Sequence, residues 1–105
     1  MLRGEVWWTD LPPPLGRRPV VLLTRDAAYR VRRSVTVAQV TTCVRGIATE
    51  VVLGPEDDLP RSFVINLDNI NTVPTAALLR RISTLSQRKV ADTEAAVHFA
   101  LGLVD

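Results

Sequence analysis

The sequence predicts a mostly β fold of the α+β class, in which a small barrel carries one C-terminal amphipathic helix. Short apolar or β-branched runs recur through residues 5–85, with turn-forming residues about every eight to twelve positions, which is typical of small barrels. After residue 85 the apolar spacing becomes helical. A length of 105 residues, without repeats or a linker, predicts a single domain over residues 1–105.

Four strands are predicted in the first half of the chain. Three consecutive prolines at positions 12–14 remove three backbone donors, so residues 10–16 are expected to form a loop after the first strand. A polar turn at Arg25 and Asp26, followed by a short irregular or helical piece, separates the second strand from the third. The predicted strands cover residues 5–9, 19–24, 34–42 and 47–53.

Three further strands and the helix are predicted in the second half, after an acidic loop at residues 56–58. Ser86 can cap the helix, and Leu85 and Val90 occupy the hydrophobic-staple positions around that cap. The three strands are expected at residues 62–66, 69–73 and 79–85. The apolar face of the helix is predicted to consist of Val90, Val97, Leu101 and Val104.

Composition disfavours several kinds of protein and site. The mean hydropathy of +0.14 is typical of a folded soluble protein, and no apolar run approaches the roughly 18 residues expected of a membrane span. The first residues lack the pattern of a signal peptide, so a cytoplasmic location is expected. A lone Cys43 and a lone His98 disfavour a disulfide, a metal cluster and a Ser-His-Asp triad.

Positive charge is concentrated in the first half of the chain. Residues 1–50 contain eight arginines against four acids, whereas residues 51–105 contain five basic residues against seven acids. Twelve of the thirteen basic residues are arginine, which binds phosphate with two parallel hydrogen bonds and stacks on bases. This bias suits an RNA partner, although a GC-rich coding sequence would produce the same arginine excess.

Two polar motifs lie at the ends of predicted core strands. Arg17 and Arg18 stand where the proline-rich loop enters the second strand, and Thr41 and Thr42 end the third. Arg18 and Thr41 are 23 residues apart in the chain. Spacing alone does not separate a catalytic pair from a solvated strand entrance beside a common Thr-Thr pair.

Several blocks, in this order and spacing, resemble the MazF/PemK family of toxin endoribonucleases over essentially the whole chain. They are Arg-Gly-Glu-Val-Trp-Trp at 3–8, Arg-Arg-Pro-Val-Val-Leu-Leu at 17–23, Val-Ala-Gln-Val-Thr-Thr at 37–42, Glu-Val-Val-Leu at 50–53 and Leu-Asp-Asn-Ile-Asn-Thr-Val at 67–73, before a closing helix. The resemblance implies an SH3-like barrel of five to seven strands shared with MazF, Kid and CcdB toxins. It also implies a homodimer silenced by a MazE-like antitoxin, whose acidic tail would lie across the RNA groove.

The resemblance also implies the site. The family's catalytic arginine and threonine match Arg18 and Thr41, and Asp68 stands where several members keep an acid near the RNA. The implied reaction is attack of the RNA 2′-OH on the adjacent phosphorus, which gives 2′,3′-cyclic phosphate and 5′-OH ends without a metal or cofactor. Arginine is protonated at ordinary pH and then cannot accept a proton, so the proton acceptor is left open between Arg18 and Asp68.

Five further residues are predicted to contact RNA: Arg17, Arg25, Thr42, Trp8 and Asn66. Two departures from the family pattern bear on the RNA motif that is cut. Residues 12–16 replace a longer Gly-Ser-Glu-Gln type of loop, and Asn66 stands where some relatives carry arginine. The alternatives are a noncatalytic CcdB-like toxin that binds a protein target such as gyrase, and a plain nucleic-acid-binding barrel.

Overall fold

Six antiparallel strands form one sheet in the computed structural model, which describes residues 1–103. The strand order is β4-β5-β3-β2-β1-β6, and the sheet curls into a half-barrel that confirms the predicted fold class. The elements are β1 Glu5–Leu11, β2 Gly16–Leu22, β3 Ser34–Thr41, β4 Glu50–Leu53, β5 Phe63–Pro74, β6 Leu78–Thr84 and helix α1 Gln87–Leu101. Short 3-10 turns lie at Asp26–Ala28, Pro55–Asp57 and Thr75–Ala77.

Alternation along the strands gives the sheet two apolar faces. The face we term the barrel face carries Leu11, Val20, Leu22, Val35, Val37, Val73 and Leu78. The opposite face, which we term the helix face, carries Val6, Val21, Ala38, Val40 and Ile65. Helix α1 packs on the helix face through Val90, Ala96 and Val97. Neighbouring residues of β2 therefore point to opposite faces of the sheet.

Helix α1 begins and ends as its sequence predicts. The Ser86 side chain accepts a hydrogen bond from the Lys89 backbone N–H at 3.2 Å, and Gly102 closes the helix with a φ of +66°. The prediction that Leu101 belongs to the buried face is wrong: its exposure is 56%, because the buried stripe is centred nearer to Ala96. Val104, predicted on the same face, lies outside the described residues.

The two strands predicted at 62–66 and 69–73 are one continuous strand, β5. Gln39 of β3 pairs with Asn66, and the preceding Ala38 pairs with Ile70. Residues 67–69 are therefore extra residues that form a bulge. The gap predicted between the two strands therefore falls at this bulge.

The β1–β2 hairpin is tighter than predicted. Asp10 pairs with Arg17 and Leu11 pairs with Gly16, so the loop shortens to residues 12–15 and Arg18 lies inside β2. Within residues 1–103, no helix meets the length and apolarity needed to traverse a bilayer.

Candidate functional site

The register of β2 and β3 aligns Arg18 with Thr41. The last paired residues of these antiparallel strands are Val20 and Gln39, and continuing the register by two residues sets Arg18 opposite Thr41. Both residues fall on the barrel face, because Val20 does and side chains alternate. The fold thus places two residues that are 23 positions apart in the chain on neighbouring strands and on the same face of the sheet.

Arg18 is half-buried at the start of β2, and the proline-rich loop fixes one of its nitrogens. Its Nε donates to the Leu15 carbonyl at 3.0 Å, which holds the plane of the guanidinium. Gly16 allows this contact to form, because its φ of +67° turns the loop back into the strand. Within residues 1–103, the two Nη atoms have no hydrogen-bond partner, so they are available to an anion.

The Thr41 hydroxyl is oriented by the chain that follows it. Its Oγ accepts a hydrogen bond from the Cys43 backbone N–H at 3.2 Å. Because a hydroxyl can accept and donate at once, its own hydrogen remains available to a ligand. Thr42 and Cys43, which follow directly, are exposed, so Thr41 lies where β3 ends and the loop to β4 begins.

The β3–β4 loop, residues 42–49, is held by a carboxylate that the sequence analysis missed. The Glu50 Oε1 accepts from the backbone N–H groups of Arg45 and Gly46, each at 2.9 Å, and Oε2 accepts from Arg45 at 3.3 Å. These bonds fold the chain before β4, so the strand predicted from Ile47 begins only at Glu50. Gly46 is the sequence signal that could have indicated this turn, because glycine readily adopts the positive φ of +70° that it has here.

Asp68 lies in the β5 bulge and forms its hydrogen bonds with residues other than Arg18 and Thr41. Its Oδ2 accepts from the Thr49 hydroxyl at 2.7 Å, and its backbone N–H donates to the Asn66 Oδ1 at 2.9 Å. The β5 residue that pairs with Thr41 is Val64, not Asp68. Within residues 1–103 no hydrogen bond or ion pair joins Asp68 to Arg18 or Thr41.

The residues predicted to contact RNA are spread over the molecule. Asn66 is buried, with an exposure of 6%, and its side-chain Oδ1 already accepts a hydrogen bond from the Asp68 backbone N–H. Arg25 is exposed, but it lies beyond the C-terminal end of β2, whereas Arg18 lies near the start of that strand. Because side chains alternate along a strand, Trp8 and Arg17 lie on the helix face, where they line a separate groove. Of these residues, Arg17 and Thr42 are next in the chain to Arg18 and Thr41, and Arg17 points to the opposite face of the sheet.

Comparison with known families decides the identity of the chain. Residues 2–101 match the family described as "PemK-like, MazF-like toxin of type II toxin-antitoxin system". The chain belongs to this toxin family. The assignment confirms the family that the sequence blocks indicated, and it makes the protein a toxin of a toxin–antitoxin system.

Curated relatives of the toxin are named as ribonucleases. It is 48% identical over 85 residues to "Probable endoribonuclease MazF5" of Mycobacterium tuberculosis, which covers 80% of this chain and 77% of the relative. It is 40% identical over 91 residues to "Probable endoribonuclease MazF2" of the same species, with 86% and 87% covered. The predicted enzyme class, an endoribonuclease, is confirmed at the level of the family.

Solved structures agree with the fold. "Mycobacterium tuberculosis toxin MazF-mt6" superposes with a TM-score of 0.88 at 33% identity and covers 96% of this toxin and 99% of that chain. A mycobacterial endoribonuclease solved in complex with its cognate antitoxin gives a TM-score of 0.89 at 31% identity, with 100% and 98% covered. The toxin therefore shares its fold with a protein that was solved bound to an antitoxin.

Proposed function

We propose that this toxin is a metal-independent endoribonuclease that cleaves single-stranded RNA at a short sequence motif, with Arg18 and Thr41 as its catalytic pair. The observation that supports it is the β2–β3 register, which aligns a guanidinium with two unpartnered nitrogens and a hydroxyl with a free hydrogen. Both groups donate hydrogen bonds toward the same side of the sheet. Such a pair suits a group that gains negative charge, as a phosphate does during cleavage.

The proposed reaction uses a nucleophile that the RNA itself supplies. The 2′-oxygen forms a bond to the adjacent phosphorus, the bond from phosphorus to the 5′-oxygen breaks, and the products are a 2′,3′-cyclic phosphate and a 5′-OH. Arg18 stabilises the nonbridging oxygens with charge-assisted hydrogen bonds, and Thr41 donates one more. The proton of the 2′-OH passes to Arg18 or Asp68, and the leaving 5′-oxygen takes a proton from the Arg18 guanidinium or from water.

The acceptor of the 2′-OH proton is either Arg18 or Asp68. The pH dependence of kcat/KM for Asp68→Asn separates these two assignments. Loss of the acidic limb of the profile together with a fall of about 100-fold or more marks Asp68 as the base. A pH profile that keeps its shape marks Arg18 as the proton acceptor. Asp68 would then have only a structural role, in which its carboxylate hydrogen-bonds Thr49 and holds the β5 bulge.

The partners complete the proposal. We propose that residues 1–105 form one domain that acts as a homodimer, and that the acidic tail of a MazE-like antitoxin covers the RNA-binding surface. RNA contacts by Arg17, Arg25, Thr42, Trp8 and Asn66 belong to the same proposal. Exposed arginines support both contacts, since RNA and an acidic tail are both polyanions.

The deciding experiment incubates the purified protein with a long single-stranded RNA in excess EDTA and maps the cut ends. The variants are Arg18→Ala and Thr41→Ala, and the control is Arg88→Ala, which removes an exposed arginine of α1. Discrete cuts with 2′,3′-cyclic phosphate ends, lost in the first two variants and kept in the control, support the proposal. Uncut RNA across a broad set of substrates would favour a protein-targeting toxin. Cleavage that survives both substitutions would place the site elsewhere.

A further inference from the structure

A second polar surface lies on the other side of the sheet from Arg18 and Thr41. Trp8, Arg17, Leu79 and Arg80 line an open groove of about 440 Å³, which we term the Trp8 groove. The assigned catalytic pair does not use it.

Strand register builds the Trp8 groove. Trp8 pairs with Pro19 on one side and with Arg80 of β6 on the other, while Arg17 lies two residues before Pro19 on the same face. The β1–β6 pairing shifts just after Trp8, which brings the exposed Leu79 to the rim. The indole is half-buried, so part of it is accessible.

The two guanidinium groups of the groove are not neutralised. Within residues 1–103, Arg17 and Arg80 are exposed and make no ion pair or side-chain hydrogen bond. Asp10 pairs with Arg17 across the hairpin, but it forms no salt bridge with it. By contrast Arg81, next in the chain, contacts Glu5 at 3.6 Å. The groove therefore combines net positive charge with an aromatic ring.

We propose that the Trp8 groove is a second contact site for single-stranded RNA, which binds nucleotides flanking the cleaved bond. A base would stack on Trp8 while its phosphates contact Arg17 and Arg80, as in channels that combine stacking with positive charge. Arg17 and Arg18 are adjacent on opposite faces of β2, so RNA that crosses the start of this strand contacts both surfaces. An acidic peptide would use the two arginines but not the indole, which favours RNA.

This inference rests on the proposed ribonuclease function and predicts that substrate length matters. After the cut site is mapped, two RNAs are compared: one ends at the motif, and the other extends several nucleotides to each side. Wild type, Arg80→Ala and the charge-matched control Arg88→Ala are assayed in EDTA. For the long RNA, Arg80→Ala is expected to raise KM about tenfold without changing kcat, and its KM is expected to depend less on salt. For the short RNA, the three proteins are expected to give the same KM.

An equal KM for the long RNA in Arg80→Ala and Arg88→Ala would overturn the inference. If poly-L-glutamate then inhibits Arg80→Ala more weakly than Arg88→Ala, the groove binds an acidic peptide instead of RNA. If wild type cuts no RNA, the proposed function fails. RNA binding by the Trp8 groove is then tested by measuring the affinity for a 2′-O-methyl RNA. Affinity about tenfold weaker in Arg80→Ala than in Arg88→Ala supports the groove, and equal affinity overturns it.

Discussion

At the scale of single residues, the proposed catalytic pair shows how a fold can orient a group without using all its hydrogen-bonding atoms. Within residues 1–103, Arg18 uses only its Nε in a side-chain hydrogen bond, and Thr41 uses only a lone pair of its hydroxyl. Each bond fixes an orientation and leaves the donors that a phosphate needs. Such preorganised donors need no rearrangement when charge develops, which is the main source of their effect on rate.

Two substitutions at Thr41 separate the role of its hydroxyl from the role of its side-chain shape. Thr41→Val keeps the branched side chain and removes the donor, so kcat is expected to fall by about 100- to 1,000-fold. Thr41→Ser keeps the donor and is expected to retain most of the activity. Single-turnover cleavage of the mapped RNA measures both variants. Equal losses in the two would contradict a role for the hydroxyl.

Tyr29 provides a pH-dependent test of the barrel interior, because it is the only tyrosine in the chain. Burial, and then the negative charge of Asp26, raise the pKa of Tyr29 from 10 to about 12. The neutral phenol is thus favoured by folding, so its contribution to stability is complete below pH 10. That contribution is lost as the pH rises from 10 toward 12.

Ultraviolet absorbance of the phenolate measures this pKa. The folded protein is expected to titrate near 12, and the protein unfolded in denaturant near 10. Tyr29→Phe, which removes the signal, is the control, and it should also weaken the loss of stability above pH 10. A midpoint near 10 in the folded protein would show that Tyr29 is solvated.

At the scale of elements, local sequence signals predicted some features and long-range bonds decided others. Ser86 capped the helix as predicted, because capping depends on neighbouring residues alone. The late start of β4 depends on the Glu50 carboxylate, which no local pattern marks. Likewise the spacing of Arg18 and Thr41 could not predict their alignment, since register depends on the pairing of whole strands. For these two residues, the family resemblance supplied what spacing could not.

The Glu50 anchor can be tested by removing its carboxylate. Glu50→Ala is expected to speed hydrogen exchange at the Arg45 and Gly46 amides by about tenfold or more, because hydrogen bonds to a charged acceptor are worth about 1.5–3 kcal/mol. Amide exchange followed by NMR measures the effect. Glu56→Ala, at another exposed turn, should leave these two amides unchanged. Unchanged exchange in Glu50→Ala would mean that the loop is held by other contacts.

At the scale of the whole molecule, the start of β2 and the end of α1 expose different kinds of side chain. The start of β2 carries Arg18 on one face of the sheet and the Trp8 groove on the other, whereas the end of α1 exposes apolar side chains. Phe99, Leu101 and Leu103 are exposed by 62%, 56% and 55%. A cluster of this kind is typical of a surface that another protein covers.

The homodimer predicted above is expected to use this apolar end of α1. Phe99→Asp should shift the protein toward the monomer in size-exclusion chromatography with light scattering, because burying a carboxylate at an interface is unfavourable. Val31→Asp places the same charge on a residue that is 79% exposed elsewhere, and should leave the oligomeric state unchanged. A dimer that survives Phe99→Asp would have its interface on another surface.

The way Glu50 holds the β3–β4 loop has a consequence for how such toxins diversify. Its carboxylate binds the backbone amides of Arg45 and Gly46, so the shape of the loop depends little on which side chains the loop carries. Substitutions at exposed positions such as Thr42 and Val44 can therefore accumulate without unfolding the loop. The proposed RNA contact at Thr42 can therefore be altered by substitution while the backbone of the loop keeps its shape.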